Sequence, residues 1–341
     1  MVDVTFPDIL AAAERIAPWV HRTPLHTCTS LSREFGAHLW FKCEQFQRTG
    51  SFKFRGACNA VFSLPSEAGK RGVVTHSSGN HGQALARAAA LRGIPAYVVM
   101  PEGAVRSKEA AARAFGAQVI PCGRTLAARE RVAAEVQLQT GAEFVHPYDD
   151  PRVIAGQGTL GLELLKQLGD VDFVVAPVGG GGLLSGVCLA VHAQAPHVRI
   201  YAAEPAGADD AARSLASGRR QGNPEARTIA DGLHAELSER TFAILREHLS
   251  GVVVVEDSAI ARSMRLLWER TKWIVEASAA IAFAALSAPP LVELIRNRRV
   301  VVILSGGNVD LDRLPWTQSQ IPVYSAEAPP GNSPRQRKEN S

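Results

Sequence analysis

Apolar runs of strand length alternate with stretches of helical period along most of this chain, and that alternation restricts it to parallel sheets joined by helical crossovers. Strand candidates are His38–Cys43, Val73–Ser77, Ala96–Met100, Gln118–Cys122, Glu143–His146, Phe173–Val178, Arg199–Ala203, Val252–Glu256 and Val300–Leu304. Helix candidates between them include Ser51–Leu64, Gly79–Leu91, Lys108–Phe115, Leu126–Gln139, Ile154–Gln167 and Ala259–Lys272. So many elements exceed one compact sheet. The expected fold is α/β, with two parallel-sheet α/β domains and a cleft between them. Residues 1–71 and 150–316 form the expected large domain, and 72–149 a small inserted one. Residues 317–341 are rich in Pro, Ser and charge and read as a disordered tail.

Composition excludes several classes. A formal charge of +4 over 341 residues, with the basic residues scattered, argues against nucleic acid as a partner. The five cysteines, Cys28, Cys43, Cys58, Cys122 and Cys188, form no C-x-x-C pair or metal-type spacing and read as reduced thiols. The N-terminal stretch has early acids and no basic leader. No apolar run approaches the roughly 20 residues that span a bilayer. A soluble, cytoplasmic protein is expected.

Four segments carry chemistry, each at a strand–helix junction. In Thr49-Gly50-Ser51-Phe52-Lys53-Phe54-Arg55-Gly56, Lys53 follows an aromatic residue near a helix start. Alone it reads as a surface lysine, whereas partial desolvation would make its amine reactive. Ser77-Ser78-Gly79-Asn80-His81-Gly82-Gln83 offers hydroxyls, an amide and helix-start N–H groups to a ring or a carboxylate. Alone it reads as a capping serine before a glycine turn. Gly179-Gly180-Gly181-Gly182 after Pro177-Val178 can fold into a nest for one phosphate. Its spacing matches neither G-x-G-x-x-G nor the P-loop, which disfavours dinucleotides and P-loop nucleotides. Leu304-Ser305-Gly306-Gly307-Asn308 closes the last strand candidate, where a serine can meet a ring nitrogen or simply end the strand.

In this order, the four segments resemble the β-family (fold type II) of pyridoxal-phosphate enzymes, in its serine racemase and serine–threonine dehydratase branch. The resemblance runs from about Pro7 to Trp316 and includes Val153–Thr159, Tyr201–Pro205 and Thr228–Gly232. It implies a tryptophan synthase β-like fold with pyridoxal 5'-phosphate in the cleft. Lys53 would be the Schiff-base lysine and the base on one face of the substrate. Phe52 would flank the ring, and Asn80 would contact the ring hydroxyl. Gly179, Gly180, Gly181 and Gly182 would bind the phosphate, and Ser305 the pyridine nitrogen. Ser77, Asn80 and His81 would face the substrate carboxylate. Glu204, the Ala208 carbonyl and Asp210 match the family's divalent-cation site, whose oxygen ligands suit Mg²⁺, Mn²⁺ or Ca²⁺. A homodimer is implied as well.

The branch markers are mixed. Ser78 matches the racemase branch, where a serine here is the base on the opposite ring face; read locally it is a helix-capping hydroxyl. Arg129 aligns with a basic pocket residue that can pair with a distal carboxylate; read locally it is an exposed helix arginine. Ala235 replaces a racemase-like serine, Tyr148-Asp149-Asp150 resembles the dehydratase form of its loop, and Ala277 in Glu276-Ala277-Ser278 replaces a usual proline. The resulting expectation is dehydration of L-threonine or L-serine to a 2-oxo acid and ammonia. Alternatives are serine racemisation by Lys53 and Ser78, and dehydration of another 3-hydroxy amino acid such as 3-hydroxyaspartate or phenylserine. A non-catalytic binding protein of the same fold is the rival from another class.

Overall fold

A computed structural model describes residues 4–77, 79–103, 106–223 and 225–317. Ser78 lies outside the described residues, and so does the tail expectation beyond Thr317. Among the described residues ten strands form two sheets: β1 (Leu25–Thr27), β2 (His38–Cys43), β3 (Val73–His76), β4 (Ala96–Pro101), β5 (Gln118–Cys122), β6 (Glu143–Phe144), β7 (Phe173–Pro177), β8 (Arg199–Pro205), β9 (Gly251–Val255) and β10 (Arg299–Leu304). The six-stranded sheet runs β1-β2-β10-β7-β8-β9 and the four-stranded sheet β5-β4-β3-β6. Every pairing is parallel except β1 with β2.

The parallel core follows from the sequence. Val300-Val301-Val302-Ile303-Leu304 is an unbroken apolar run in β10, and all five residues are buried. A strand with helices on both faces needs such a run, because neither face meets water. β1 is an addition to the expected strands: it is only three residues long, and its strand character comes from pairing Leu25 with Lys42 and Thr27 with Trp40. The Glu143–His146 candidate is shorter than expected. β6 ends at Phe144, because only Val73 and Val74 pair with it and the chain then turns.

Packing brings the Lys53 helix (Lys53–Phe62) against the helix Pro151–Leu168. Asp150 caps the latter, accepting from Arg152 N at 2.8 Å, and Pro151 takes its first position. The two helices cross closely at glycine: a Cβ on Gly156 would lie 2.7 Å from the Arg55 carbonyl oxygen. The Lys53 helix begins two residues later than the Ser51 expected. Ser51 is extended (φ −162°) and bridges to Gly306, so it belongs to the junction with β10.

β2, β10 and β7 are neighbours running in one direction, so the segments after their C-terminal ends lie side by side. Those segments carry Lys53, Ser305 and the four glycines. The ends of β3 and β6, adjacent in the small sheet, carry Ser77, Asn80 and His81 on one side and His146–Tyr148 on the other. The crevice outside strand carboxyl ends is where open α/β sheets place ligands.

Candidate active site

The backbone joins the first segment to the last. Ser305 O accepts from Phe52 N at 2.9 Å, and Gly50 O accepts from Gly307 N at 2.9 Å. Thr49 before them is held at φ 61°, a left-handed conformation that costs a non-glycine residue free energy. The Asn308 side chain fastens that turn by donating to Thr49 O at 2.8 Å and Asn80 Oδ1 at 2.9 Å. Asn80 Nδ2 in turn donates to Glu276 Oε1 at 2.7 Å. Thus the turn before Lys53, Asn80 at the start of its helix and the end of β10 form one polar joint.

Lys53 is half-buried, with Nζ 5.2 Å from the centre of the Phe52 ring, and it donates to Pro147 O at 2.9 Å. Burial lowers its pKa to about 8, opposed by the Glu276 carboxylate. A useful fraction of the amine is therefore neutral near pH 7–8, as a nucleophile or base requires. Burial, reinforced by Asp231 and opposed by Lys108, raises the Glu276 carboxyl to about 7. His81, 1% exposed, is held well below its usual range by burial and by the Lys53 charge. The Val145 backbone acts on the His81 ring, but no hydrogen bond of full geometry reaches either ring nitrogen, or Glu276 Oε2, among the described residues.

The glycine loop is a packed cradle. Gly179, Gly180, Gly181 and Gly182 sit so that added Cβ atoms would meet Leu233 Cα at 2.9 Å, the Tyr148 ring at 2.5 Å, Thr241 Cβ at 2.8 Å and Tyr148 O at 2.8 Å. Gly181, at φ 83°, begins the helix Gly182–Gln194, which no side chain caps. That helix start is buried, and Ser185 Oγ in its first turn has no partner among the described residues. A buried helix N-terminus without a side-chain cap, beside an orphaned hydroxyl, fits a phosphate group. With the buried amine of Lys53 and the orphaned atoms of His81 and Glu276, the residues present suit pyridoxal phosphate.

The remaining candidates lie around this centre. Ser77 Oγ accepts from Gly79 N at 3.3 Å, ahead of the helix Asn80–Arg92. Ser305 is buried where β10 ends. Arg129, half-buried in the helix Leu126–Thr140, is not joined to Lys53 or Asn80; its charge acts on His76 and Cys122 at the ends of β3 and β5. Its Nε is buried without a partner among the described residues. Glu204, Ala208 and Asp210 gather at the end of β8. The Glu204 oxygens accept from Ala211 N at 2.7 Å and Ala212 N at 2.8 Å, and Asp210 Oδ2 accepts from Leu237 N at 3.2 Å. Burial pushes these carboxyls up to about 8 and about 6. Two buried acids, with Ala208 between them in the chain, suit a hard divalent ion, although the described residues hold no cluster of three or more His, Cys, Asp or Glu side chains of metal-binding type.

Several site members are not evident in the sequence. Glu276 stands out there only as the neighbour of Ala277. Its signal is visible in retrospect: a single acid preceding the helix Ala277–Ala284, which is apolar but for Ser278 and buried throughout. Lys108 forms an ion pair with Asp231 that joins the helix Arg106–Ala114 to the Thr228–Gly232 segment. His146 and Pro147 look like strand and turn in sequence, and only the fold brings them to Lys53.

Comparison with known proteins agrees with this geometry. The pyridoxal-phosphate dependent enzyme family matches residues 16–306. A β-hydroxyaspartate dehydratase of Paracoccus denitrificans (strain Pd 1222) is 47% identical over 92% of this chain and 98% of its own. The solved structure of maize serine racemase superposes with a TM-score of 0.90 at 45% identity, covering 92% of this chain and 96% of its own. The solved structure of a T.th. threonine deaminase gives 0.84 at 46% identity, covering 90% and 99%. Further relatives are named serine racemases. The comparisons therefore support the racemase alternative at least as well as the threonine dehydratase expectation. No helix among the described residues is long and apolar enough to cross a membrane. The chain belongs to the pyridoxal-phosphate dependent enzymes of fold type II.

Proposed function

We propose that this enzyme removes and returns the Cα proton of a small hydroxy-amino acid, racemising serine and losing the β-hydroxyl in a competing outcome. The observation that carries this reading is the Lys53 amine, half-buried, hydrogen-bonded to a backbone carbonyl and shifted to a pKa of about 8. Lys53 would hold the cofactor aldehyde, with the Gly179–Gly182 loop and Ser185 at its phosphate, Asn80 at its hydroxyl, Phe52 along its ring and Ser305 at its nitrogen. When bound, the cofactor accepts the electron pair left as the Cα–H bond breaks. Serine at the ring nitrogen does not force protonation as an aspartate would.

Ser77, Asn80 and His81 would orient the substrate carboxylate, so that the Cα–H bond points at Lys53 Nζ. Lys53 takes the proton on one face. Racemisation needs a proton donor on the other, and Ser78 is the residue of the SSGNH segment assigned to it. Where the β-hydroxyl leaves before a proton returns, the products are a 2-oxo acid and ammonia. Glu204, Asp210 and the Ala208 carbonyl would hold a divalent cation with a structural or activating role, away from the reacting atoms.

A second reading is favoured by Arg129. Its buried, unpartnered Nε suits a distal carboxylate, and one relative is named a β-hydroxyaspartate dehydratase. A substrate panel on the holoenzyme with Mg²⁺ separates the readings: L-serine, D-serine, L-threonine, threo-3-hydroxyaspartate and phenylserine, scored for 2-oxo acid and product chirality. Interconversion of the serine enantiomers supports the proposal. Keto acid from threo-3-hydroxyaspartate without enantiomer exchange supports the second reading. Inertness toward all five overturns both.

A further inference from the structure

The segment after β6 folds back on itself around one side chain. His146 Nδ1 accepts from Asp149 N at 2.9 Å and from Tyr148 N at 3.3 Å, two donors on the chain that follows it. Pro147, between His146 and these donors, has no N–H to offer, and its carbonyl accepts from Lys53 Nζ. The far side of this turn is secured independently. Arg240 holds Asp149 through both its carbonyl and its carboxylate, and Asp150 caps the next helix. The near side has the strand bond Val145 N to Val74 O at 2.9 Å and then the His146 ring.

The ring itself is fixed by packing. It meets Tyr148 edge-on at 4.5 Å and 84°, and His76 at 5.8 Å and 90°. Burial, with the neighbouring His76, lowers its pKa to about 4, so the imidazole is neutral at working pH. With Nδ1 accepting two hydrogen bonds, the ring proton sits on Nε2. Lys53 needs such a fixture because its four-carbon stem is flexible. Whenever its amine is not bonded to the cofactor aldehyde, something must hold the nitrogen where its lone pair can reach Cα.

We propose that His146 is a positioning residue: its ring holds the turn that presents the Pro147 carbonyl to Lys53, and so fixes the place of the free Lys53 amine. The inference rests on the assignment of Lys53 as the reactive lysine. Besides His146, the titratable groups whose charge couples to the amine are Glu276 and His81.

The test compares wild type with His146→Ala and His146→Asn. Asparagine offers an acceptor oxygen able to close the same kind of turn, which alanine lacks. In the holoenzyme, His146→Ala lowers kcat roughly ten- to a hundred-fold with little change in KM, the scale expected for a misplaced reacting group. His146→Asn restores most of the loss. A second readout uses the full chain stripped of cofactor: the pH dependence of Lys53 acylation, mapped by peptide mass. Its midpoint moves down in His146→Ala, because a carbonyl acceptor favours the charged amine, and returns in His146→Asn. An unchanged midpoint and kcat in His146→Ala, or equal damage in both variants, overturns the inference and leaves the assignment of Lys53 intact. Cofactor found on a different lysine in the wild-type holoenzyme overturns that assignment, and the inference with it.

Discussion

The two sides of the Lys53 helix start differ in how their polar groups are satisfied. Behind it, Arg55 is fully buried, and its guanidinium reaches Glu44 at 2.8 Å and Glu163 at 2.9 Å. Lys42, equally buried, donates to Glu163 at 2.8 Å, Gln167 at 2.9 Å and Thr23 O at 2.9 Å. Two cations meet two carboxylates, and the charges cancel. In front, His81 has two unpartnered ring nitrogens, Glu276 one unpartnered oxygen and Ser185 an unpartnered hydroxyl among the described residues. A buried polar group without a partner costs free energy that a closed network avoids. The paired charges are therefore scaffold, although Gln157 Nε2 beside Gly56 also lacks a partner among the described residues, and the side of Lys53 is the one that suits a ligand. Lys53 and Arg55, two residues apart, point to opposite sides of one helical turn.

The sharpest way to break this comparison is to remove the group that faces the ligand. Lys53→Ala should lower turnover by roughly 10³-fold or more while the circular dichroism spectrum is retained, since the network behind is untouched. Appreciable residual turnover would remove Lys53 from its role. Arg55→Met should do the reverse. It leaves the fully buried Glu44 without its cation, while the partly exposed Glu163 keeps Lys42, so denaturant unfolding should show a loss of about 3–5 kcal/mol. A loss under about 1 kcal/mol, the range of an exposed pair, would show that the network is not the scaffold claimed here.

How much of this contrast was legible in the sequence depends on the range of the interactions. The parallel core was legible, because short β-branched runs such as Val300–Leu304 alternate with stretches of helical period. Lys53, the glycine loop and Ser305 were legible as candidates only as a set, through the order of the four segments and the family they resemble, since Lys53 and Ser305 alone have ordinary local readings. Glu276 and Pro147 were not, since their roles depend on contacts with Asn80 and Lys53 from distant parts of the chain. Nor was the charge network: nothing in the sequence links Lys42, Glu44, Arg55 and Glu163, and only the fold brings them together, with the first three fully buried and Glu163 partly so. Arg129 was legible as a candidate, yet the fold places it near His76 and Cys122 without joining it to Lys53.

Smaller effects refine the comparison. Glu276 has its pKa raised in the folded state, so its contribution to stability is complete at low pH. It is lost as pH rises from the ordinary carboxylate range through about 7. Thermal unfolding of Glu276→Gln at fixed cofactor concentration should therefore lack the fall that wild type shows over that window. Equal pH dependence in both proteins would mean that Glu276 is not the strained carboxyl described. The smallest change is expected from Arg129→Ala. Stability and serine turnover should hardly move, whereas any activity on threo-3-hydroxyaspartate should fall selectively. An unchanged substrate ranking would return Arg129 to the surface.

The central claim is that Lys53 carries the cofactor on the unsaturated side of its helix. Borohydride reduction of the holoenzyme followed by peptide mass mapping tests it directly. The account predicts one modified peptide, with the pyridoxyl group on Lys53. A modification on any other lysine, or none in a protein that contains pyridoxal phosphate, would contradict it.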